Sequence, residues 1–212
     1  MSRGRFITLE GGEGCGKSTQ AGLLSQALAA RGIASVLTRE PGGTPNAEAI
    51  RTLVLSTEGP GWNPRAEALL FAAARSDHVE RLIAPALDRG EWVICDRFLD
   101  SSRAYQGGGG GLCDADLLEL HRIGSGGVLP DRTVLIDVAP EEAAIRIASR
   151  DGANVDRIGG REPEYHARVA AAFDHMAQAE PGRFTRVDGG GSRDATHAQI
   201  MAALSTLLQS AR

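Results

Sequence analysis

Hydrophobic and polar positions along the chain follow two periods. Near-continuous apolar runs at 5–10 (RFITLE), 34–39, 92–96 (WVICD), 133–138 (TVLIDV) and 183–187 predict five strands. Between them the apolar positions recur at helical spacing. Leu23, Leu24, Ala27 and Leu28 follow the first strand, and Leu69, Leu70, Ala73, Val79, Leu82 and Ile83 mark one long helix over 65–87 that Gly90 stops. Further helices are expected over 140–149, 163–178 and 196–208. Strands that are apolar throughout and alternate with helices belong to a parallel sheet covered on both faces, so the class is α/β. Glycine clusters at 107–111 and 189–191 interrupt the pattern. They read as loops where the backbone bends or comes close to a ligand, the second equally well as a surface linker.

Composition narrows the possibilities. The 212 residues contain no internal repeat, charge block or proline-rich linker, which predicts a single domain over 1–212. With 42% hydrophobic and 24% charged residues the chain is expected to fold on its own. No run reaches the roughly 20 apolar residues of a membrane span, and MSRGRFITLEGG lacks a signal-peptide core, so a cytoplasmic protein is expected. Cys15, Cys95 and Cys113 show neither disulfide-framework nor metal-type spacing, implying a reducing compartment and no zinc. A net charge of −4 argues against nucleic acid as a partner. Lys17 is the sole lysine among 23 Lys and Arg residues, in a chain that otherwise uses arginine for every cation.

That lysine lies in Gly11-Gly12-Glu13-Gly14-Cys15-Gly16-Lys17-Ser18, a full match to G-x-x-x-x-G-K-[ST], placed after a strand and before a helix as a phosphate loop requires. Glycines let successive backbone N–H groups turn toward phosphate oxygens, and the helix N-terminus that begins near Thr19 adds its dipole. Lys17 is expected to reach the β and γ phosphates, and Ser18 to supply a hydroxyl to a bridging Mg²⁺. The motif alone does not select a class. The DxxG match at Asp188–Gly191 follows the last strand and no NKxD segment exists, which disfavours a GTPase; the chain is also short for a motor. A phosphotransferase and a nucleotide-sensing regulatory protein remain.

The loop with its acid at Glu13, TREPGG at 38–43, FAAARSDH at 71–78, DRFLDSSRAYQGGG at 96–109, PDRTVLIDV at 130–138 and DRI at 156–158 resemble, in that order, the bacterial thymidylate kinases over nearly the whole chain. The resemblance implies a three-layer P-loop NTPase fold with a five-stranded parallel sheet and a short arginine-rich lid over about 146–161. It implies transfer of the γ-phosphoryl group of ATP to dTMP with Mg²⁺, and a homodimer joined through the long apolar helices. The alternatives are a kinase for another nucleoside monophosphate and the non-catalytic sensor.

Residue by residue, the resemblance assigns ATP to Gly11, Gly12, Glu13, Gly14, Cys15, Gly16, Lys17, Ser18 and Thr19, and the metal to Ser18 and Asp96. It assigns the acceptor phosphate to Arg97, helped by Arg51, and the sugar 3′-hydroxyl to Glu13. Phe71 would stack on thymine, although by spacing alone it reads as core. Arg75, Ser102 and Gln106 would meet the base edge, and Tyr105 the deoxyribose. Glu40 falls on the substrate side, but a salt-linked turn explains Arg39 and Glu40 nearly as well. His78 is expected to pack or cap. Gly14 stands where some relatives carry an arginine, so the catalytic cation is assigned to the lid, Arg150 and Arg157 first and Arg161 third. Gly159 departs from the acid usual after DRI. Cys15 reads as a small filler, and Gly189–Gly191 as the loop that meets adenine.

Overall fold

The structure, a computed structural model, describes residues 3–151 and 156–209, without the side chains of residues 150 and 151. Five strands, β1 (Phe6–Glu10), β2 (Ser35–Arg39), β3 (Trp92–Asp96), β4 (Arg132–Asp137) and β5 (Phe184–Asp188), form one all-parallel sheet in the order β2-β3-β1-β4-β5. This is the expected α/β architecture. The helices are α1 (Lys17–Ala29), α2 (Pro45–Leu55), α3 (Pro64–His78), α4 (Ala84–Asp88), α5 (Leu99–Ser102), α6 (Asp114–Ser125), α7 (Pro140–Asp151), α8 (Pro163–Ala179), α9 (Arg193–Ala203) and α10 (Ser205–Gln209).

Side chains are sorted by the two-residue strand period. Ile7 and Leu9 of β1, with Trp92, Ile94, Val134 and Ile136, pack on Leu24 and Leu28 of α1 and Ile200 of α9. Phe6, Val93 and Cys95 face the opposite way, onto Val79, Ile83, Leu87 and Phe98. On that second face β1 also carries two buried polar residues, Thr8 and Glu10. Thr8 Oγ1 lies 3.0 Å from Thr133 Oγ1, and Thr133 donates at 3.1 Å to Asp100, which takes two further bonds, at 2.5 and 2.9 Å, from Arg183. Glu10 accepts from the Phe98 N–H at 2.7 Å and the Ser101 hydroxyl at 2.6 Å. Buried carboxyl groups are tolerated only when their oxygens are hydrogen-bonded or paired in this way. Here they fasten the chain that follows β3 onto the sheet.

Helix starts follow their local chemistry. Asn63 and Thr44 cap α3 and α2 by accepting from Ala66 N at 3.0 Å and Ala47 N at 3.3 Å, each with proline in the first turn. The long helix expected over 65–87 is instead α3, a π-helical turn at Val79–Ile83, and α4. Pro85 cannot donate to a carbonyl one turn back, and the wide turn absorbs the missing bond.

The glycine cluster at 107–111 corrects the sequence reading. Gly107–Gly109 belong to a π-helical segment, Arg103–Gly109, and only Gly111, at φ +79°, turns out of it. The close neighbour is α8. A Cβ on Gly108 would stand 2.5 Å from Ala172 Cβ, and one on Gly109 2.5 Å from the Tyr165 ring. Glycine is used here for helix-to-helix approach.

Candidate functional site

The carboxyl ends of β1, β2 and β3 converge, the position where open parallel sheets bind ligands. Arg97 N donates to Leu9 O at 3.0 Å and Glu40 N to Asp96 O at 2.9 Å, so the strand pairing continues until the three chains turn into loops.

From β1 the chain enters the glycine loop. Gly11, Gly14 and Gly16 all hold positive φ, and Gly16, at φ +88°, is the N-cap of α1. Lys17 is buried under the loop, its Nζ donating at 2.6 Å to Gly12 O and 3.2 Å to Gly11 O. Cys15 Sγ, 3.3 Å from that Nζ, fills the buried space beneath Gly11, as a small filler should. At the loop's end the Ser18 hydroxyl donates to Asp96 at the tip of β3, bringing the two expected metal residues into contact. One hydroxyl and one carboxylate are hard oxygen donors, a set that suits Mg²⁺ whose other ligands are phosphate and water.

From β3 the chain passes through Arg97, the one non-glycine residue among those described with positive φ, at +69°. The left-handed backbone turns its guanidinium back over the glycine loop. It donates to Gly11 O at 3.0 Å, Ser101 Oγ at 3.1 Å, Glu13 Oε1 at 2.6 Å and Tyr105 OH at 3.0 Å, and lies 4.8 Å from the Tyr105 ring centroid. Burial works against its charge, but Glu13, Tyr105, Asp96 and Glu10 outweigh that cost and raise its pKa well above the ordinary value. Burial likewise holds the Tyr105 phenol protonated, its pKa well above the usual range. The Tyr105 hydroxyl also lies 3.2 Å from Glu13 Oε1.

From β2 comes Glu40, a buried hub. Oε2 accepts from Arg75 Nε at 2.8 Å and Oε1 lies 3.0 Å from His78 Nδ1, whose Nε2 lies 2.8 Å from Thr38 Oγ1. Arg75 also donates to Ser102 Oγ at 2.7 Å. Arg39 lies apart from this hub, paired with Glu48 on the surface. His78 therefore packs, as expected, and does so by steadying the acid that orients Arg75.

A cavity of about 110 Å³ is lined by Glu13, Glu40, Arg51, Phe71, Arg75, Arg97, Ser102, Tyr105 and Gln106. These are all nine residues assigned to the acceptor. The residues missed are Pro41, Leu55, Phe98, Ser101, Asp156 and Ile158 on the wall, and Glu67 behind it, whose Oε1 accepts from Gln106 Nε2 at 2.9 Å. Glu67 carried a legible signal: it lies four residues before Phe71 and eight before Arg75, on the same stripe of α3.

Among the lid residues, Arg157 donates to the carbonyls of Ser56 (2.6 Å), Glu58 (2.8 Å) and Gly59 (3.0 Å) between α2 and α3. Arg161 pairs with Glu67 and donates to the Tyr165 hydroxyl at 2.7 Å. Arg150 lies outside the described side chains. Arg146, at the start of the lid segment, donates to Gly189 O at 2.8 Å, tying α7 to the glycine loop after β5. Where the family's usual acid is replaced by Gly159, its N–H and that of Ile158 are held by Asp156 Oδ1 at 2.8 and 3.0 Å.

The thymidylate kinase family model matches residues 9–200. A thymidylate kinase of Rhizorhabdus wittichii is 56% identical over 205 residues, covering 97% of this chain and 99% of its own length. One of Nitrobacter winogradskyi is 46% identical over 203 residues, covering 95% and 88%. Among solved structures, the crystal structure of thymidylate kinase from Ehrlichia chaffeensis superposes with a TM-score of 0.76 at 31% identity, over 95% of this chain and 99% of that one. A family match that runs from β1 into α9, and a relative sharing more than half its residues over nearly the full length of both proteins, show that the chain belongs to the thymidylate kinase family.

Proposed function

We propose that the protein transfers the γ-phosphoryl group of ATP to dTMP, giving dTDP and ADP. The observation that carries this is the cavity: the nine residues that the resemblance assigns to the acceptor line one space, and within it Glu13 of the phosphate loop is paired with Arg97 after β3. A protein that only senses a nucleotide has no need of a second, cation-lined pocket beside that loop.

The acceptor nucleophile is a phosphate oxygen, anionic near neutral pH, so no general base is required. Catalysis reduces to alignment and to neutralising charge spread over the transferred group. Lys17 and the loop N–H groups hold the donor phosphates. Arg97, with Arg51, receives the acceptor phosphate through forked donors. Glu13 fixes the sugar 3′-hydroxyl, and Tyr105 packs against the deoxyribose. Phe71 stacks on the base while Arg75 and Ser102 read its edge. Ser18 and Asp96 would hold Mg²⁺, which supplies charge neutralisation between the donor phosphates. Arg157 and Arg150 bring lid cations to the transferring group, and Gly189–Gly191 border adenine.

Exposed Leu69 on α3 and Leu118 and Ile123 on α6, two helices packed on one another, support a homodimer through these helices. Ile123→Glu should then give a monomer in sedimentation. The decisive assay is ADP release with ATP and Mg²⁺ against dTMP, dUMP, dCMP and AMP, with a blank lacking acceptor. Strong stimulation by dTMP is expected. Stimulation by none of them would overturn the kinase reading in favour of a sensor.

A further inference from the structure

We propose that Glu67 is a positioning residue for base selectivity: it fixes which end of the Gln106 amide faces the acceptor cavity, and so favours a pyrimidine carrying a ring N–H over one carrying a bare ring nitrogen. The inference rests on the dTMP kinase reading of the cavity.

A side-chain amide presents a donor at one end and an acceptor at the other, and reversing it exchanges them. A pocket that relies on such an amide has to fix its direction. Glu67 is 2% exposed and Gln106 is buried beside it. Glu67 Oε1 takes Gln106 Nε2 at 2.9 Å, and Oε2 takes Arg161. A carboxylate paired with arginine only accepts, so the amide's NH₂ is the end that must turn to Glu67. The carbonyl end of Gln106 is then left to serve the cavity that the residue lines. There it accepts from a ring N–H, as thymine and uracil offer at N3, and meets repulsion from cytosine, whose N3 is itself an acceptor. Arg161 completes the device. Held by Tyr165 at 2.7 Å and stacked 4.6 Å from its ring, it occupies the second carboxylate oxygen.

This arrangement gives an isosteric substitution a definite sense. In Glu67→Gln, Arg161 has donors only and claims the single remaining oxygen, so the new NH₂ faces Gln106. Gln106 must then reverse and present its own NH₂ to the cavity. The expected result is a fall of about tenfold or more in the ratio of kcat/KM for dTMP over dCMP, with the dTMP over dUMP ratio unchanged because those bases share the N3 edge. Loosened packing would move all three acceptors together, so equal losses that preserve the dTMP to dCMP ratio overturn the proposal. Should Glu67→Gln fail to fold by circular dichroism, Glu67→Asp keeps the charge beside Arg161 while withdrawing the acceptor from Gln106. It too must lower the dTMP to dCMP ratio, and an unchanged ratio is again fatal. A wild-type protein that phosphorylates none of the three nucleotides sinks the kinase reading and this inference with it. An active wild type with unshifted variants sinks the inference alone.

Discussion

Two residues at the strand ends are held in states that an isolated chain would avoid. Arg97 occupies left-handed backbone at a cost of about 1–2 kcal/mol for a residue with a Cβ, which its four hydrogen-bond partners offset. Backbone cost and catalytic role separate by comparing two variants that lack the guanidinium equally. Arg97→Gly should be about 0.5–1 kcal/mol more stable than Arg97→Ala in urea, since glycine removes the left-handed penalty but loses part of it to a freer unfolded chain. Both should turn over at least about 100-fold slower than wild type. Wild-type turnover in either variant refutes the role given to Arg97. Beneath it, the Glu10 carboxyl is pushed up to about 8 by burial and then by the neighbouring charge of Asp100, against the bonds from Ser101 and Phe98 N–H. Between its unfolded value of 4.5 and about 8 the folded protein therefore holds one proton more than the unfolded chain. The stability this group contributes is full below pH 4.5 and is lost as pH rises through about 8. The melting temperature of wild type should fall across this window relative to Glu10→Gln, and parallel curves for the two proteins would contradict the assignment.

At the scale of elements, sequence legibility depended on whether one segment contained its own signal. Each strand contains a short apolar run of its own, nearly continuous in β3 and β4, so local pattern revealed them, and the phosphate loop is a local motif set between one strand and one helix. Gly107–Gly109 were misread as loop because glycine's low helix propensity is a local rule and the reason for these glycines is not local. It lies in α8, some sixty residues on, whose Ala172 and Tyr165 approach too closely for any side chain on Gly108 or Gly109. Glu40 and Glu67 show the same limit: their partners Arg75, His78, Gln106 and Arg161 lie on other elements, and although the position of Glu67 on the α3 stripe is legible, its contacts and those of Glu40 are set by the fold. The π-helical segment also carries Tyr105 and Gln106, so α8 packing and the acceptor site are coupled. Gly108→Ala puts a methyl 2.5 Å from Ala172 Cβ and 3.0 Å from the Arg168 carbonyl. It should cost about 1–3 kcal/mol by overpacking, and it should raise KM for dTMP while leaving KM for ATP near wild type. Equal shifts in both constants would mean that the segment does not position the acceptor.

In the molecule as a whole, the phosphate loop and the cavity beside it meet at the Glu13–Arg97 pair, and in the proposed reaction the lid must reach that junction from outside the sheet. The segment after the undescribed residues 152–155 rests on the acceptor side: Ile158 is buried among Val54, Leu55 and Phe71, and Arg157 sits on three backbone carbonyls between α2 and α3. Those carbonyls are neutral acceptors. A transferring phosphoryl group is anionic, and hydrogen bonds to ionised acceptors are roughly twice as strong. Under the role proposed for Arg157, the two positions compete for one guanidinium, and bound nucleotide is expected to shift the balance toward the phosphates. Arg157→Ala should then lower kcat by about 100- to 1,000-fold with a much smaller effect on KM for dTMP. The resting position can be tested without touching the arginine. Gly61 lies beneath it, and a Cβ there would stand 2.5 Å from Arg157 Nη1. Gly61→Ala should dislodge the side chain and raise ATP hydrolysis in the absence of acceptor, because the cation then spends more time over the donor phosphates with only water to attack. A hydrolysis rate equal to wild type, in a variant that still phosphorylates dTMP, would show that the carbonyl contacts do not restrain the lid.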